Sequence, residues 1–403
     1  MLTFEQARKK VIDQVSELKL SPATIELEIH AALGYTLAQD VAADRDYPPF
    51  HRSTRDGYAV RATESIAGAR IRCVGEIKAG DSLTESLAHE TCLQIMTGAA
   101  VPPGADAVVM IEHTDRDGDE IRFHKEATAL QNIVRQGTEA TQGQTLLRSG
   151  SRLGYAELGL AAQIGATKLR CAKKPRVAIL STGDEIVAVD ATPGPFQIRN
   201  SNSVSLAAQV RQAGGEPVLL GNAADRAESL AENIQRGLRE DILVLSGGVS
   251  MGKYDLVEDV LKTLGVKFHF DAVAIRPGKP AVFAMLNEKP IFGLPGNPLS
   301  TMVTFQLFVV PAIDVLSGAA ARPLPFLTAT LGENLHEKPG MTHFLPATLK
   351  WTGTSATVHP LRWQGSGDTV TMAQANCYLV VPADIETLSA GENVNVLIRT
   401  DVS

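Results

Sequence analysis

At 403 residues the chain exceeds one ordinary hydrophobic core, so roughly two to four domains are expected. Hydrophobic residues at 44% and charged residues at 21% are those of a packed globular protein, and a net charge of −7 excludes the basic face of a nucleic-acid binder. Cys73, Cys92, Cys171 and Cys377 lie far apart with no C-x-x-C pair, the pattern of reduced thiols in a cytosol rather than of disulfides or a zinc site. At the N-terminus, Thr3 and Gln6 read as a capping box, and Ala7, Val11, Val15 and Leu18 recur at helical spacing, so residues 3 to 45 are expected to be helical. No signal peptide is expected. The most apolar helix candidate, Leu299 to Leu316, is interrupted by Gln306, Pro311 and Asp314, so no membrane partner is expected and the location is expected to be cytoplasmic.

Residues 46–140 read as β-rich. Arg70–Val74, Thr91–Met96 and Ala107–Ile111 are short apolar runs, separated by turns at Ala79-Gly80-Asp81 and Pro102-Pro103-Gly104. The flanks, 1–45 and 141–173, form one discontinuous domain if this piece is an insertion, which the residues alone leave open. Past Lys173-Lys174-Pro175 the pattern changes. Val177–Leu180, Pro217–Leu220 and Ile242–Leu245 are apolar strands. Between them, Asn202 is expected to cap a helix closed by Gly214-Gly215, and Leu230, Ile234 and Leu238 stripe another. A third helix follows over Leu256–Leu264, then strands at Ala281–Ala284 and Ile291–Phe292 and a helix from Leu299 to near Gly318. Strands apolar on both faces and alternating with helices predict a parallel sheet covered by helices. Residues 321–403 predict a small β domain.

Ligands bind such sheets beyond the carboxyl ends of the strands. Three of those ends carry glycine-rich loops. They are Ser181-Thr182-Gly183-Asp184-Glu185, then Ser246-Gly247-Gly248-Val249-Ser250-Met251-Gly252-Lys253-Tyr254-Asp255, then Gly293-Leu294-Pro295-Gly296-Asn297-Pro298-Leu299-Ser300. Glycine lets the backbone approach a ligand, and N–H groups at a helix N-terminus suit an anion. Carboxylates in the same cradle are hard-cation ligands, typical of Mg²⁺ shared with a phosphate. One such loop is better read as ordinary turn punctuation; three on successive strand ends, two of them acidic, point to a phosphorylated small molecule. Arg276-Pro277-Gly278-Lys279-Pro280 adds two cations on a proline-stiffened turn suited to gripping an anion. There is no G-x-x-x-x-G-K-[ST], no G-x-G-x-x-G opening a helix and no H-E-x-x-H.

With Asp56-Gly57-Tyr58-Ala59 and Met96-Thr97-Gly98-Ala99, these motifs resemble the molybdopterin molybdenumtransferase family, related to the E domain of gephyrin, over nearly the whole chain. The resemblance implies a multidomain α/β plus β fold. A discontinuous first domain (1–45 and 141–173) would hold an inserted β-rich domain (46–140), followed by an α/β molybdopterin-binding domain (174–320) and a C-terminal β domain (321–403). It also implies a homodimer, Mg²⁺, and insertion of molybdate into adenylylated molybdopterin with release of AMP, the substrate coming from an upstream molybdopterin adenylyltransferase.

By the same resemblance Asp56, Thr97, Glu185, Asp255 and Lys279 are the catalytic set, with Asp255 and Glu185 as metal ligands. Thr182, Gly183, Asp184, Ser246, Gly247, Gly248, Ser250, Pro295, Gly296, Asn297 and Pro298 contact substrate, while Arg276, Ser300 and Ser366 join Lys279 around molybdate. The chain departs from the family in one run. Where G-R-x-x-F-x-R is usual it has Gly340-Met341-Thr342-His343-Phe344-Leu345-Pro346, so restoring arginine at 341 and 346 is expected to strengthen oxyanion use. Arg55, Glu139 and Ala224 (beside Asp225) are smaller departures. Two other readings compete. A pterin-binding paralogue or scaffold could dispense with Glu185, Asp255 and Lys279, all of which are present; another nucleotide-dependent enzyme would not need the Asp56 and Thr97 motifs.

Overall fold

The computed structural model of the protein describes residues 1–19, 21–81, 85–248 and 256–401. The chain divides into two compact units, one made of Met1–Glu26, Gly34–Ala38 and Arg170–Ser403, the other of Leu27–Leu33 and Gln39–Leu169.

The first unit is built on a six-stranded sheet. Its strands are β1 (Arg176–Thr182), β2 (Glu216–Ala223), β3 (Ile242–Ser246), β4 (Lys267–Phe270), β5 (Val282–Leu286) and β6 (Lys289–Leu294), in the order β2-β1-β3-β6-β5-β4. Strand alternation sorts the side chains onto two faces. Val177, Ile179, Val244 and Phe292 pack with the helices Phe4–Ser16, Ser201–Ala213 and Pro298–Leu316. Ala178, Leu180, Leu243, Leu245 and Ile291 pack with the helices Ala227–Gly237 and Leu256–Thr263.

The sheet is mixed rather than wholly parallel. β2, β1, β3 and β6 are parallel, but β5 runs antiparallel to both β6 and β4. The cause is local: Asn287 and Glu288 both take positive φ (46° and 65°), the geometry of a two-residue hairpin turn. Such a turn is far too short for the crossover that a parallel pair requires.

Two further expectations are corrected. The N-terminal helix carries the capping box, with Gln6 N–H 3.3 Å from Thr3 Oγ1 and Thr3 N–H 3.0 Å from Gln6 Oε1. It stops at Ser16, however; Lys19 turns to φ 45°, and Thr24–Glu28 is a strand, so 3–45 is not continuously helical. Asn202 does not cap the next helix. Asn200 does, accepting from Ser203 N–H at 3.0 Å, and Gly214 closes it at φ 96°.

Pro298–Leu316 is, among the described residues, the one helix long and apolar enough to cross a membrane by length and composition; its apolar window is 72% buried within the protein, as a core helix. It loosens into a π-helical turn at Phe305–Val309, just ahead of Pro311, whose missing N–H interrupts the ladder.

The C-terminal strands Phe326–Leu331, Thr342–Thr352, Ser355–Pro360, Cys377–Val381 and Asn393–Ile398 form a second sheet. Because Thr342–Thr352 pairs with both Ser355–Pro360 and Cys377–Val381, this sheet curls into a barrel-like layer around Leu345, Ala347, Val358 and Val396. The short strand Ile275–Arg276 joins its edge, parallel to Thr342–His343.

In the second unit, Gly57–Val60, Arg70–Ile77, Thr91–Ile95, Ala107–Met110, Thr114–Asp117 and Glu120–Phe123 make a six-stranded sheet over Tyr58, Ile121 and Phe123. Gly57 lies so close to its neighbour that a Cβ would stand 1.9 Å from the Val109 carbonyl oxygen. Backbone cannot yield as a flexible side chain does, so Gly57→Ala is expected to destabilise this unit by about 3 kcal/mol. A lower urea midpoint for the variant checks it.

Candidate functional site

The carboxyl ends of β1, β3 and β6 are neighbours in the sheet, so their loops meet along one cleft of about 410 Å³. Thr182, Gly183 and Glu185 line it from the first loop, Ser246, Gly247 and Gly248 from the second, and Pro295, Gly296, Asn297 and Pro298 from the third. Gly247 links two loops, its N–H donating to the Leu294 carbonyl at 3.1 Å. It has φ 93°, and a Cβ there would sit 2.8 Å from the Thr182 carbonyl oxygen. The Thr182 hydroxyl is buried with no partner among the described residues, a polar atom left for a ligand or water.

Sequence reasoning missed the asparagines that hold this frame. Asn202 Nδ2 donates to Ser246 Oγ at 2.9 Å and to the Gly296 carbonyl at 2.8 Å, tying the second loop to the third, while its Oδ1 is buried with no partner among the described residues. Asn200 Nδ2 reaches Ser181 Oγ at 2.9 Å, and Asn222 Nδ2 reaches the Gly183 carbonyl at 2.8 Å. The signal in the sequence was the run Asn200-Ser201-Asn202 opening a helix, which capping alone does not require to be doubled.

Two carboxylates face the cleft and a third stands beside them. Glu185 and Asp225 line the cleft, and Asp184 Oδ1 accepts the Asp225 N–H at 3.2 Å. Partial burial, then the negative charges of Asp184 and Glu185, push the Asp225 carboxyl above its ordinary range. These are hard oxygen donors of the kind Mg²⁺ takes, although among the described residues no group of three or more His, Cys, Asp or Glu side chains is placed to hold a metal ion. Mg²⁺ usually completes its shell with water and substrate phosphate, so one or two carboxylates suffice and the donor set fits. Asp255 and Ser250 lie outside the described residues.

The cationic turn is separate from the cleft lining, which it meets only through Pro280. Lys279 is exposed and makes no ion pair among the described residues, and Arg276 Nη1 lies 3.9 Å from Glu337 Oε2. Ser300 is buried in the first turn of its helix, its carbonyl accepting from Thr304 Oγ1 at 2.7 Å. Ser366 docks on the third loop: its Oγ accepts from Asn297 Nδ2 at 2.7 Å and its carbonyl from Leu299 N–H at 3.0 Å. Asp56 and Thr97 lie in the second unit and contact each other, Asp56 Oδ1 accepting from Thr97 N–H at 2.6 Å and from its hydroxyl at 2.8 Å. Those two hydrogen bonds hold the exposed Asp56 carboxyl below its usual range.

A larger cavity of about 620 Å³ lies elsewhere in the first unit and contains none of the expected residues. Its cations are already engaged. Arg8 Nη1 donates to the Leu307 carbonyl at 2.8 Å, Arg322 pairs with Asp314 at 2.6 Å, and Arg399 Nη1 donates to the Met372 carbonyl at 2.6 Å. The smaller cleft, with its unpartnered polar atoms and loop backbones, is the better site.

Three family descriptions match the chain: the MoeA N-terminal region (domain I and II) over residues 2–165, a probable molybdopterin binding domain over 178–315, and the MoeA C-terminal region (domain IV) over 328–398. The chain is 32% identical to a Staphylococcus epidermidis protein named molybdopterin molybdenumtransferase, over 98% of this chain and 95% of that one. A Staphylococcus aureus protein of the same name is 30% identical over 97% and 94% of the two chains. Among solved structures, a molybdopterin biosynthesis MoeA protein from Pyrococcus horikoshii superposes with TM-score 0.75 at 32% identity, covering 97% of this chain and 98% of that one. A second structure of a protein so described from that organism gives TM-score 0.81 at 26% identity, covering 99% and 100%.

Proposed function

The chain belongs to the molybdopterin molybdenumtransferase family, and from that premise we propose that it inserts molybdate into adenylylated molybdopterin and releases AMP. The observation that carries this reading is the meeting of three glycine-rich loops and the carboxylates Glu185 and Asp225 on one cleft of about 410 Å³. A phosphoanhydride and a dianionic oxyanion repel one another, so holding both requires backbone donors, cations and a metal.

In this reading the loop backbones at Gly183, Gly247, Gly248 and Gly296 and the Thr182 hydroxyl hold the phosphate end of the pterin. Lys279, Arg276, Ser300 and Ser366 receive molybdate. Glu185 and Asp225, with Asp255, would hold Mg²⁺, which when bound would neutralise charge on the phosphates. The Asp56–Thr97 pair serves the same reaction from a second copy of the chain, so a homodimer is the proposed assembly. The division 1–45 with 141–173, 46–140, 174–320 and 321–403, a cytoplasmic location, and supply of substrate by a molybdopterin adenylyltransferase complete the assignment.

The test is AMP release from adenylylated molybdopterin with molybdate and Mg²⁺, each omitted in turn. Pterin binding without AMP release in the complete mixture would instead support a scaffold. The carboxylates give a second handle. Because partial burial, and then its acidic neighbours, raise Asp225, that group carries a proton to higher pH than an ordinary carboxyl, and a bound cation must expel it. Mg²⁺ binding at mildly acid pH is therefore expected to release protons, and Asp225→Asn to abolish that part of the release. Calorimetry in two buffers of different ionisation enthalpy measures it.

A further inference from the structure

The stretch that lacks the family's two arginines carries a different device. His343, only 1% exposed, sits in the strand Thr342–Thr352 directly across from Arg276, with Ile275–Arg276 running parallel to Thr342–His343. Its Nδ1 is 2.8 Å from Glu337 Oε2, an ion-pair distance whose angle falls short of a hydrogen bond, and its Nε2 has no hydrogen-bond partner among the described residues. The same Glu337 oxygen lies 3.9 Å from Arg276 Nη1. Exposure is graded along the series: His343 buried, the Glu337 side chain 19% exposed, the Arg276 side chain 50% exposed.

We propose that His343 and Glu337 are positioning residues which aim the Arg276 guanidinium at the oxyanion, in place of the missing arginines. The inference rests on the proposed molybdate reaction. A half-exposed arginine samples many rotamers, and ordering it costs entropy when the anion binds. Glu337 limits that search because it is itself fixed. Its backbone N–H donates to the Glu386 carbonyl at 2.9 Å, and its carboxylate is drawn to an imidazole locked in the sheet. At 3.9 Å Glu337 orients Arg276 without occupying its hydrogen-bonding fork, so the donors stay free for a tetrahedral anion.

Glu337→Gln is the decisive variant, since the side chain is near the surface and nearly isosteric. Loss of the aim is expected to raise the molybdate concentration for half-maximal AMP release about fivefold, with saturated turnover and adenylylated-molybdopterin affinity unchanged. His343→Gln, if it folds, is expected to move the same parameter in the same direction. An unchanged or lowered molybdate requirement in Glu337→Gln overturns the proposal, because a carboxylate that merely repels the dianion would improve binding when neutralised. If the unsubstituted protein releases no AMP, the proposed reaction itself fails, an outcome distinct from turnover that Glu337 does not influence.

Discussion

Gly247→Ala is expected to fold and to release AMP roughly 10²-fold more slowly than the unsubstituted protein. The glycine stands at φ 93°, where an L side chain is strained, and the new Cβ would meet the Thr182 carbonyl oxygen at 2.8 Å. Neither neighbour is free to retreat. Thr182 ends a central strand, and Gly247 is bonded to the Leu294 carbonyl at 3.1 Å. The relief is a shift of the second loop away from the first, and a displacement of about 1 Å at reacting groups costs on the order of 10² in rate. The strained φ is expected to lower stability by about 1 kcal/mol, which leaves the variant folded under assay conditions because the sheet cores are untouched. Turnover within a few-fold of the parent in a folded variant would remove this loop from the chemistry.

Asp314→Ala is expected to show the largest stability loss, about 3–5 kcal/mol. Asp314 is fully buried in the apolar helix, and its carboxylate accepts from Arg322 Nη2 at 2.6 Å, Nε at 3.0 Å and the backbone N–H at 2.8 Å. Removing it strips these hydrogen bonds from Arg322, whose side chain is 37% exposed and keeps, among the described residues, only the Ala213 carbonyl at 2.7 Å, and leaves a void in the buried helix. It also removes the charge that offsets the like-charge effect of Arg322 on Arg8, whose basicity burial already lowers. Urea unfolding gives the measure, and a loss under 1 kcal/mol would mean that Arg322 finds water instead.

Much of the cleft was legible because its signals are local. A glycine that admits close approach, an asparagine-proline pair that opens a helix and an apolar strand ahead of them all announce themselves within a few residues. Asn202 was misread for the opposite reason. Its value is set by partners at Ser246 and Gly296, far away in sequence, and capping explained it well enough in isolation. The hairpin was missed because the sequence Asn287-Glu288 lacks the glycine that usually marks such turns. The 3–45 stretch was overextended because apolar spacing does not reveal where a chain turns, whereas Lys19 at positive φ and the following Pro22 do. The structure also alters what the missing arginines mean. Pro346 is buried opposite Tyr378, so an arginine there would have to bury its guanidinium, and position 346 is not a vacancy waiting to be refilled.

The hairpin within 282–294 also bears on the order in which the protein assembles. Strands β1, β2 and β3 pair only after whole helices have been folded across between them, and each closure spends chain entropy before any contact repays it. β5 and β6 need close only a two-residue turn, a step on the order of microseconds. The β5–β6 hairpin is thus expected to form first and to offer β6 as a ready template for β3. The loop that runs from β6 into the apolar helix is then in place before its two companions arrive, and the cleft is completed from one side toward the other.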